Sequence, residues 1–275
     1  MFIDTHAHVN FNAFKDDSEE VIRRALDNDT WMILVGSEYK TSNRALHLAN
    51  KYQRGVYAAV GLHPIHLEEG LVDNQEEGNS YNFIPRKEDF DYGSYEKLAK
   101  FEKVVAIGEI GLDYYWDKSE EDQKEQKEYF IEQIKLANEH QKPIIVHTRE
   151  AAYDTFKILS DNPPRYGGIM HCYSGSAEMV GNYIDLGLYI SLGGPVTFLN
   201  AKTPKEVAKI TPLNRLLVET DSPYLSPHPL RGKTNSPANL PLILEEIARL
   251  RGVEAKIIDE ATTANFRRLF RLEKQ

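Results

Sequence analysis

His6 and His8 follow the first apolar run of the chain with a single residue between them. In an extended strand a spacing of two sends both imidazoles to the same side, and two converging neutral imidazoles are a metal-ligand arrangement. The pair alone is weak evidence, because histidines fall at that spacing by chance. Four further residues add to it: Glu109 follows Val104 to Gly108, His147 ends Pro143 to His147, His171 ends Tyr166 to His171, and Asp221 follows Leu216 to Thr220. Each stands at the C-terminal end of a strand-like run. Four imidazoles and two carboxylates exceed what one tetrahedral ion needs, and a carboxylate bridges two ions through its separate oxygens. The pattern predicts two divalent ions, with Glu109 as the bridge, His6, His8 and Asp221 on one, and His147 and His171 on the other. Imidazole-rich ligation suits Zn2+, Mn2+, Fe2+ or Ni2+, and carboxylates with open positions also admit Mg2+, so the ligands leave the ion open. Paired ions suit hydrolysis, because they activate a water and clamp the leaving oxygen.

Residues so far apart in sequence need a scaffold that gathers them. Short apolar runs recur at Phe2 to Thr5, Trp31 to Gly36, Val56 to Gly61, Val104 to Gly108, Pro143 to His147, Tyr166 to His171, Leu188 to Leu192 and Leu216 to Thr220, eight in all. They are continuous Ile/Val/Leu/Ala stretches without strict alternation, as in strands buried on both faces of a parallel sheet. Between them the period changes. Ala45, Leu48, Ala49 and Tyr52 fall on one helical face, Phe130, Ile134 and Ala137 repeat the spacing behind a Ser119-x-x-Asp122 start, and Ile243, Ile247 and Leu250 do so again. This alternation predicts an α/β fold, a closed (β/α)8 TIM barrel with an additional C-terminal helix over Glu254 to Phe270, in one domain spanning 1–275. An open doubly wound sheet is the alternative. In a barrel all C-terminal strand ends meet at one mouth, which is where the six residues would converge.

Other residues reach the same mouth on this reading. His63, in Gly61-Leu62-His63-Pro64, ends a strand and can touch substrate or serve structure; Arg149, two residues past His147, can grip phosphate or pair at a helix start. Arg231 and Lys233, among Pro227, Pro229 and Gly232, form a cationic loop after the eighth strand, and Tyr114 and Tyr115 can stack a base or line a wall. Glu68 to Tyr92 fits no element: it has little apolar periodicity and eight acidic against two basic residues. It reads as a solvated excursion or a lid. Basic and acidic residues number 33 and 42, a net charge of −9, which argues against coating nucleic acid or anionic membrane by bulk charge. The single cysteine, Cys172, excludes an intramolecular disulfide framework and reads as a small core residue. With no run of membrane-spanning length and no secretory signal, a cytoplasmic protein is expected.

Taken together, Asp4-Thr5-His6-Ala7-His8, Gly61-Leu62-His63-Pro64, Ile107-Gly108-Glu109-Ile110-Gly111-Leu112-Asp113-Tyr114, His147-Thr148-Arg149, His171-Cys172-Tyr173-Ser174-Gly175 and Glu219-Thr220-Asp221-Ser222-Pro223-Tyr224-Leu225 resemble the TatD-type metal-dependent deoxyribonucleases over nearly the whole chain. The resemblance implies a TIM-barrel hydrolase whose metal ligands are His6, His8, Glu109, His147, His171 and Asp221. It also implies cleavage of phosphodiester bonds in DNA, commonly from the 3′ end and with Mg2+. The net charge of −9 and a concave barrel mouth add the expectation of single-stranded ends, and the residues themselves add that of Glu109 and Asp221 in catalysis and of His63, Arg149, Arg231, Lys233 and Tyr114 at the substrate. Thr234 and Ser236 stand where the family more usually has a basic and an acidic residue. Two other readings remain open. One is the same barrel acting on a small ester, amide, lactone or aminoacyl ester; the other is a metal-storing protein with a vestigial site, which the complete ligand set disfavours.

Overall fold

The protein is described by a computed structural model covering residues 1–67, 87–115 and 119–272. Eight strands, β1 (Phe2–Ala7), β2 (Thr30–Val35), β3 (Val56–Val60), β4 (Val104–Asp113), β5 (Ile144–Arg149), β6 (Gly168–Met170), β7 (Leu188–Leu192) and β8 (Leu216–Val218), pair in sequence order. All seven pairings between consecutive strands are parallel. β8 returns to β1 at the mouth: Ala7 and Ser222 form a parallel bridge, Asp221 N donates to His6 O at 2.9 Å, and His8 N donates to Ser222 O at 2.7 Å. The (β/α)8 barrel is therefore the architecture, and the open doubly wound sheet is ruled out.

Helices α1 (Ser18–Asp27), α2 (Tyr39–Ala49), α3 (Tyr92–Ala99), α4 (Glu120–Glu139), α5 (Ala152–Asp161), α6 (Met179–Asp185), α7 (Thr203–Ile210) and α8 (Leu240–Arg251) alternate with the strands. Their starts and stops follow local chemistry. Ser119 accepts from Asp122 N at the head of α4, and α8 ends at Gly252 in the left-handed conformation. Residues 68–86 of the acidic excursion lie outside the described residues; its last part is placed, with Asp91 accepting from Gly93 N to open α3. The terminal helix α9 (Ala255–Phe270) forms as expected.

Apolar side chains fall into two layers. Every strand contributes to an inner cluster that contains Ile3, Ile33, Ala59, Val105, Ile145, Ile169, Tyr189 and Leu217, joined by Phe266, Leu269 and Phe270 of α9. The outer layer joins the opposite strand faces, Met32, Leu34, Val60, Ile107, Val146 and Ile190 among them, to the helices. Burial on both faces explains why the strand sequences are continuously apolar.

Two irregularities of the ladder aim the chemistry. Strict alternation from Ile3 would put Ala7 inside and both His6 and His8 outside, yet Ala7 packs in the outer layer. The β1–β2 register slips between Asp4 and Ala7, three residues of β1 facing two of β2. In β4, Ile107 and Ile110 both pack outward, and the β4–β5 register slips between them in the same way. One extra residue in each strand turns His6, His8 and Glu109 inward, which is how β-bulges re-aim side chains beside active sites. Beyond the second slip, β4 lies tight on β5: a Cβ on Gly111, at φ +143°, would stand 2.0 Å from His147 O.

Candidate metal centre

Strand ends are longer or shorter than the sequence suggests. Glu109 lies within β4, which runs four residues further to Asp113, and His147 lies within β5; His171 and Asp221 instead stand beyond the short β6 and β8. Cys172 and Asp221 both take left-handed backbone, at φ 41° and 57°, turning the chain sharply at the mouth.

Glu109 is buried at the centre of the group. Its Oε2 lies 3.3 Å from His6 Nε2 and 3.6 Å from His8 Nε2. Its Oε1 lies 2.9 Å from His147 Nδ1, 3.4 Å from His63 Nε2 and 3.6 Å from His171 Nε2. Asp221 Oδ1 lies 3.4 Å from His8 Nε2 and 3.8 Å from His6 Nε2. All six expected residues thus gather in one cluster. Their ligand atoms fall into three overlapping groups: His6, His8 and Asp221; His6, Glu109 and His171; His63, Glu109 and His147. His63, expected at the substrate, sits within ligand reach of the glutamate.

These groups lie at one side of a cavity of about 380 Å3, whose other walls include Phe11, Ile65, Pro195, Tyr224 and Leu225. Arg149 lines it too, because Ile145, His147 and Arg149 share one face of β5, and its guanidinium lies over the Tyr115 ring at 3.6 Å. Tyr114 departs from expectation. Its hydroxyl donates to Asp154 at 2.8 Å, Lys127 lies over its ring, and the side chain packs on the outer apolar layer, outside the cavity wall. Arg231 and Lys233 are exposed on the rim and do not line this cavity.

Carboxylates stand behind several of the histidines. Asp113 Oδ2 lies 3.1 Å from His147 Nε2. Glu219 Oε1 lies 2.8 Å from His171 Nδ1, out of line with the ring N–H, so the contact is an ion pair more than a directed hydrogen bond. The same carboxylate accepts from Cys172 N and Ser191 Oγ, both at 2.6 Å. Asp4 accepts from Thr220 N at 2.9 Å and His6 N at 3.2 Å, tying β1 to the β8 turn. Sequence reasoning missed these three as working residues. Alternation held the signal for one of them: Asp113 is four residues past Glu109 on a single strand, hence on its face.

The titration of the group follows from this layout. Burial pushes His6 and His63 down to about 4. Burial also opposes charge on His147 and His171, but Asp113 and Glu109 outweigh it for the first, raising it to about 9. Glu219 and Glu109 raise the second to about 10. For Glu109 burial is outweighed by His63, His171 and His6, which hold its carboxyl well below the usual range. Burial raises Asp4 to about 7 in spite of its donors.

Such a donor set fits divalent ions. Imidazole nitrogens and carboxylate oxygens converge in a buried volume, the Nε2 atoms of His6 and His8 lie 3.0 Å apart, and His6 Nδ1 is buried without a hydrogen-bond partner. His8 Nδ1 lies 2.9 Å from the Val35 carbonyl, which fixes a proton there and leaves Nε2 as the atom facing the cluster.

The profile of the family described as "TatD related DNase" matches residues 3–271. The chain belongs to the TatD family. Its relatives include the metal-dependent hydrolase YabD of Bacillus subtilis strain 168, 44% identical over 274 residues that cover 99% of this chain and 100% of that one. Among solved structures, the TatD homolog YjjV of Escherichia coli K12 superposes with a TM-score of 0.84 at 30% identity, covering 99% of this chain and 98% of that one. A mutant PTE-like lactonase of Deinococcus radiodurans, with a TM-score of 0.60 at 15% identity over 98% of this chain and 95% of that one, shares the fold alone. This TatD-family chain is a metal-dependent hydrolase whose histidine and carboxylate clusters can bind metal. Among its described residues no helix is long and apolar enough to cross a membrane.

Proposed function

We propose that this TatD-family hydrolase uses two divalent ions to cleave phosphodiester bonds at single-stranded 3′ ends of DNA. The observation that carries the reading is Glu109, whose two oxygens face different histidine groups across one buried cluster. On this reading His6, His8 and Asp221 hold one ion, His147 and His171 with the neighbouring His63 hold the other, and Glu109 joins them. Such ions, with Mg2+ as the family-implied one for activity, would supply Lewis-acid activation of water and neutralise charge on the departing oxygen.

The chain's own residues account for the remaining steps. Asp221, at the edge of the cluster, accepts the proton that the attacking water gives up. Asp113 orients His147 through its hydrogen bond, and Glu219 sets the charge beside His171. Arg149, preorganised on Tyr115, presents its N–H edge to a phosphate. A concave cavity of about 380 Å3 admits a frayed terminus more readily than a stacked duplex. The family name, "TatD related DNase", supports DNA as the substrate class.

A second reading, hydrolysis of a small ester or lactone, is favoured by the net charge of −9 and by the apolar wall of Phe11, Ile65, Pro195 and Leu225. One experiment separates them. Metal-stripped protein receives Mg2+, Mn2+, Zn2+ or Ni2+ in turn and is offered single-stranded, duplex and circular DNA, RNA, and chromogenic phosphodiester, ester and lactone substrates. Metal-dependent shortening of linear single strands with the circle left intact supports the proposal. Ester or lactone turnover without phosphodiester turnover supports the second reading.

A further inference from the structure

In a chain with 42 acidic residues, two loops at the mouth carry none: positions 193–202 hold Lys202, with Lys205 following on α7, and positions 222–239 hold His228, Arg231 and Lys233. The fold brings these loops together after β7 and β8. Gly194 lies so close to the second loop that a Cβ on it would stand 1.8 Å from Leu225 O. His228 N donates to Thr197 Oγ1 at 2.8 Å, and Thr197 Oγ1 donates to Gly194 O at 2.7 Å. Pro195 and Leu225 line the main cavity; three residues further along each loop, Phe198 and His228 line a second depression of about 450 Å3 with Leu199 and Arg231.

Two features of this depression suit a nucleotide. The Arg231 guanidinium carbon lies 3.9 Å from the centre of the Phe198 ring, so one face is covered while the N–H edge stays open to a phosphate. Among the described residues no carboxylate pairs with it. Glu246 of α8, the acid that approaches the sector, is engaged by Arg249 at 2.7 Å. Beside this cation the Leu199 side chain is 77% exposed, an apolar face of the kind on which a base can lie.

We propose that the depression binds the nucleotide next to the scissile one, in single-stranded nucleic acid leaving the cavity over the rim. The phosphate sits on Arg231, the base lies against Leu199 and the edge of Phe198, and Lys202 and Lys205 hold the strand beyond by charge. This rests on the phosphodiesterase reading and extends it: the enzyme gains affinity from the second nucleotide onward. A basic sector set in a strongly acidic chain also directs the strand out over this side of the mouth.

The test compares kcat/KM for thymidine 5′-(4-nitrophenyl phosphate), which has one nucleotide, with that for oligothymidylates of two to six nucleotides, using metal-loaded enzyme. Because 4-nitrophenoxide leaves more easily than a nucleoside 3′-alkoxide, the readout is the change of the oligomer-to-monomer ratio between wild type and variant. Arg231→Ala and Leu199→Ser, both at exposed positions, should each lower the oligomer-to-monomer ratio by about tenfold, within the range for one stacked or charge-held nucleotide. Arg231→Ala should also reduce the log–log salt slope for oligomers by about one, whereas Leu199→Ser leaves it in place. An unchanged ratio and slope in both variants, with wild type active on both substrates, overturns the subsite and leaves the phosphodiesterase reading standing. No turnover of either substrate by wild type overturns both. An oligoribonucleotide arm tells whether the rim distinguishes DNA from RNA.

Discussion

The seam where β8 meets β1 and the wall formed by β4, β5 and β6 present their candidate ligands by different means. At the seam, His6 and His8 are set by main-chain closure onto Asp221 and Ser222 and by a buried Asp4 that ties His6 N to Thr220. His6 is neutral there, with burial holding it near 4. Along the wall, His147 and His171 each rest on a carboxylate of their own, Asp113 and Glu219, and are raised to about 9 and about 10. His6 is set by shape and the wall histidines by charge, while at His8 burial is outweighed by Asp221 and Glu109, which raise the imidazole. His6 offers a lone pair at neutral pH; the wall histidines hold protons that a cation must displace.

Glu109 joins the two halves, so its loss should have the largest effect. Glu109→Gln keeps the volume but puts an amide nitrogen where an oxygen faced one histidine group. We expect kcat to fall by about 100- to 1,000-fold, on the scale of lost electrostatic catalysis, and metal content to drop below that of wild type. Near-normal turnover with full metal content would show that the halves work without a common carboxylate.

The next pair of variants sharpens the contrast. Glu219→Gln removes the charge behind His171 and should weaken metal affinity by about 10- to 100-fold, measured by competition with a chromogenic chelator. Asp4→Asn keeps an oxygen for Thr220 N and His6 N, and burial already raises this carboxyl to about 7, so its effect should stay under about tenfold. Equal losses in the two would erase the distinction between shape and charge.

The sign of the pH dependence follows. His147 and His171, raised to about 9 and about 10, are protonated at pH 7 and must be neutral to ligate. Loading should release protons at pH 7, and affinity should rise with pH from 6 to 9. Calorimetry in buffers of different ionisation enthalpy reads this directly, and zero proton release at pH 7 would mean that the wall histidines were already neutral. In the metal-free protein the same raised values stabilise the fold below about pH 6.5, a contribution lost as pH climbs through 9 to 10. Arg149→Ala should have the smallest effect, raising KM several-fold while metal content stays at the wild-type level.

The barrel was legible because strands buried on both faces carry a continuous apolar signature and the helices between them keep a 3.6-residue period. The gathering of His6, His8, Glu109, His147, His171 and Asp221 followed from placing them at strand ends. What makes the site work locally was less legible. The extra residues in β1 and β4 that turn His6, His8 and Glu109 inward are set by pairing with β2 and β5, a long-range register that no local pattern in either strand announces. Asp113 looks like an ordinary loop residue until β4 is seen to extend through it, and Glu219, inside the eighth apolar run, gives no local sign that it lies 2.8 Å from His171. Tyr114 misled for a related reason: proximity in sequence to Glu109 did not reveal that it follows the end of β4 and turns outward to Asp154.

The most direct test of the two-ion account is a titration of metal-stripped protein with Mn2+, following the bound metal per chain and the cleavage of a labelled linear single-stranded oligonucleotide in the same samples. The account predicts two ions per chain, cleavage that rises steeply only with the second equivalent, and loss of that rise in Glu109→Gln. Saturation at one ion per chain with full cleavage, or cleavage that persists in excess chelator, would contradict it.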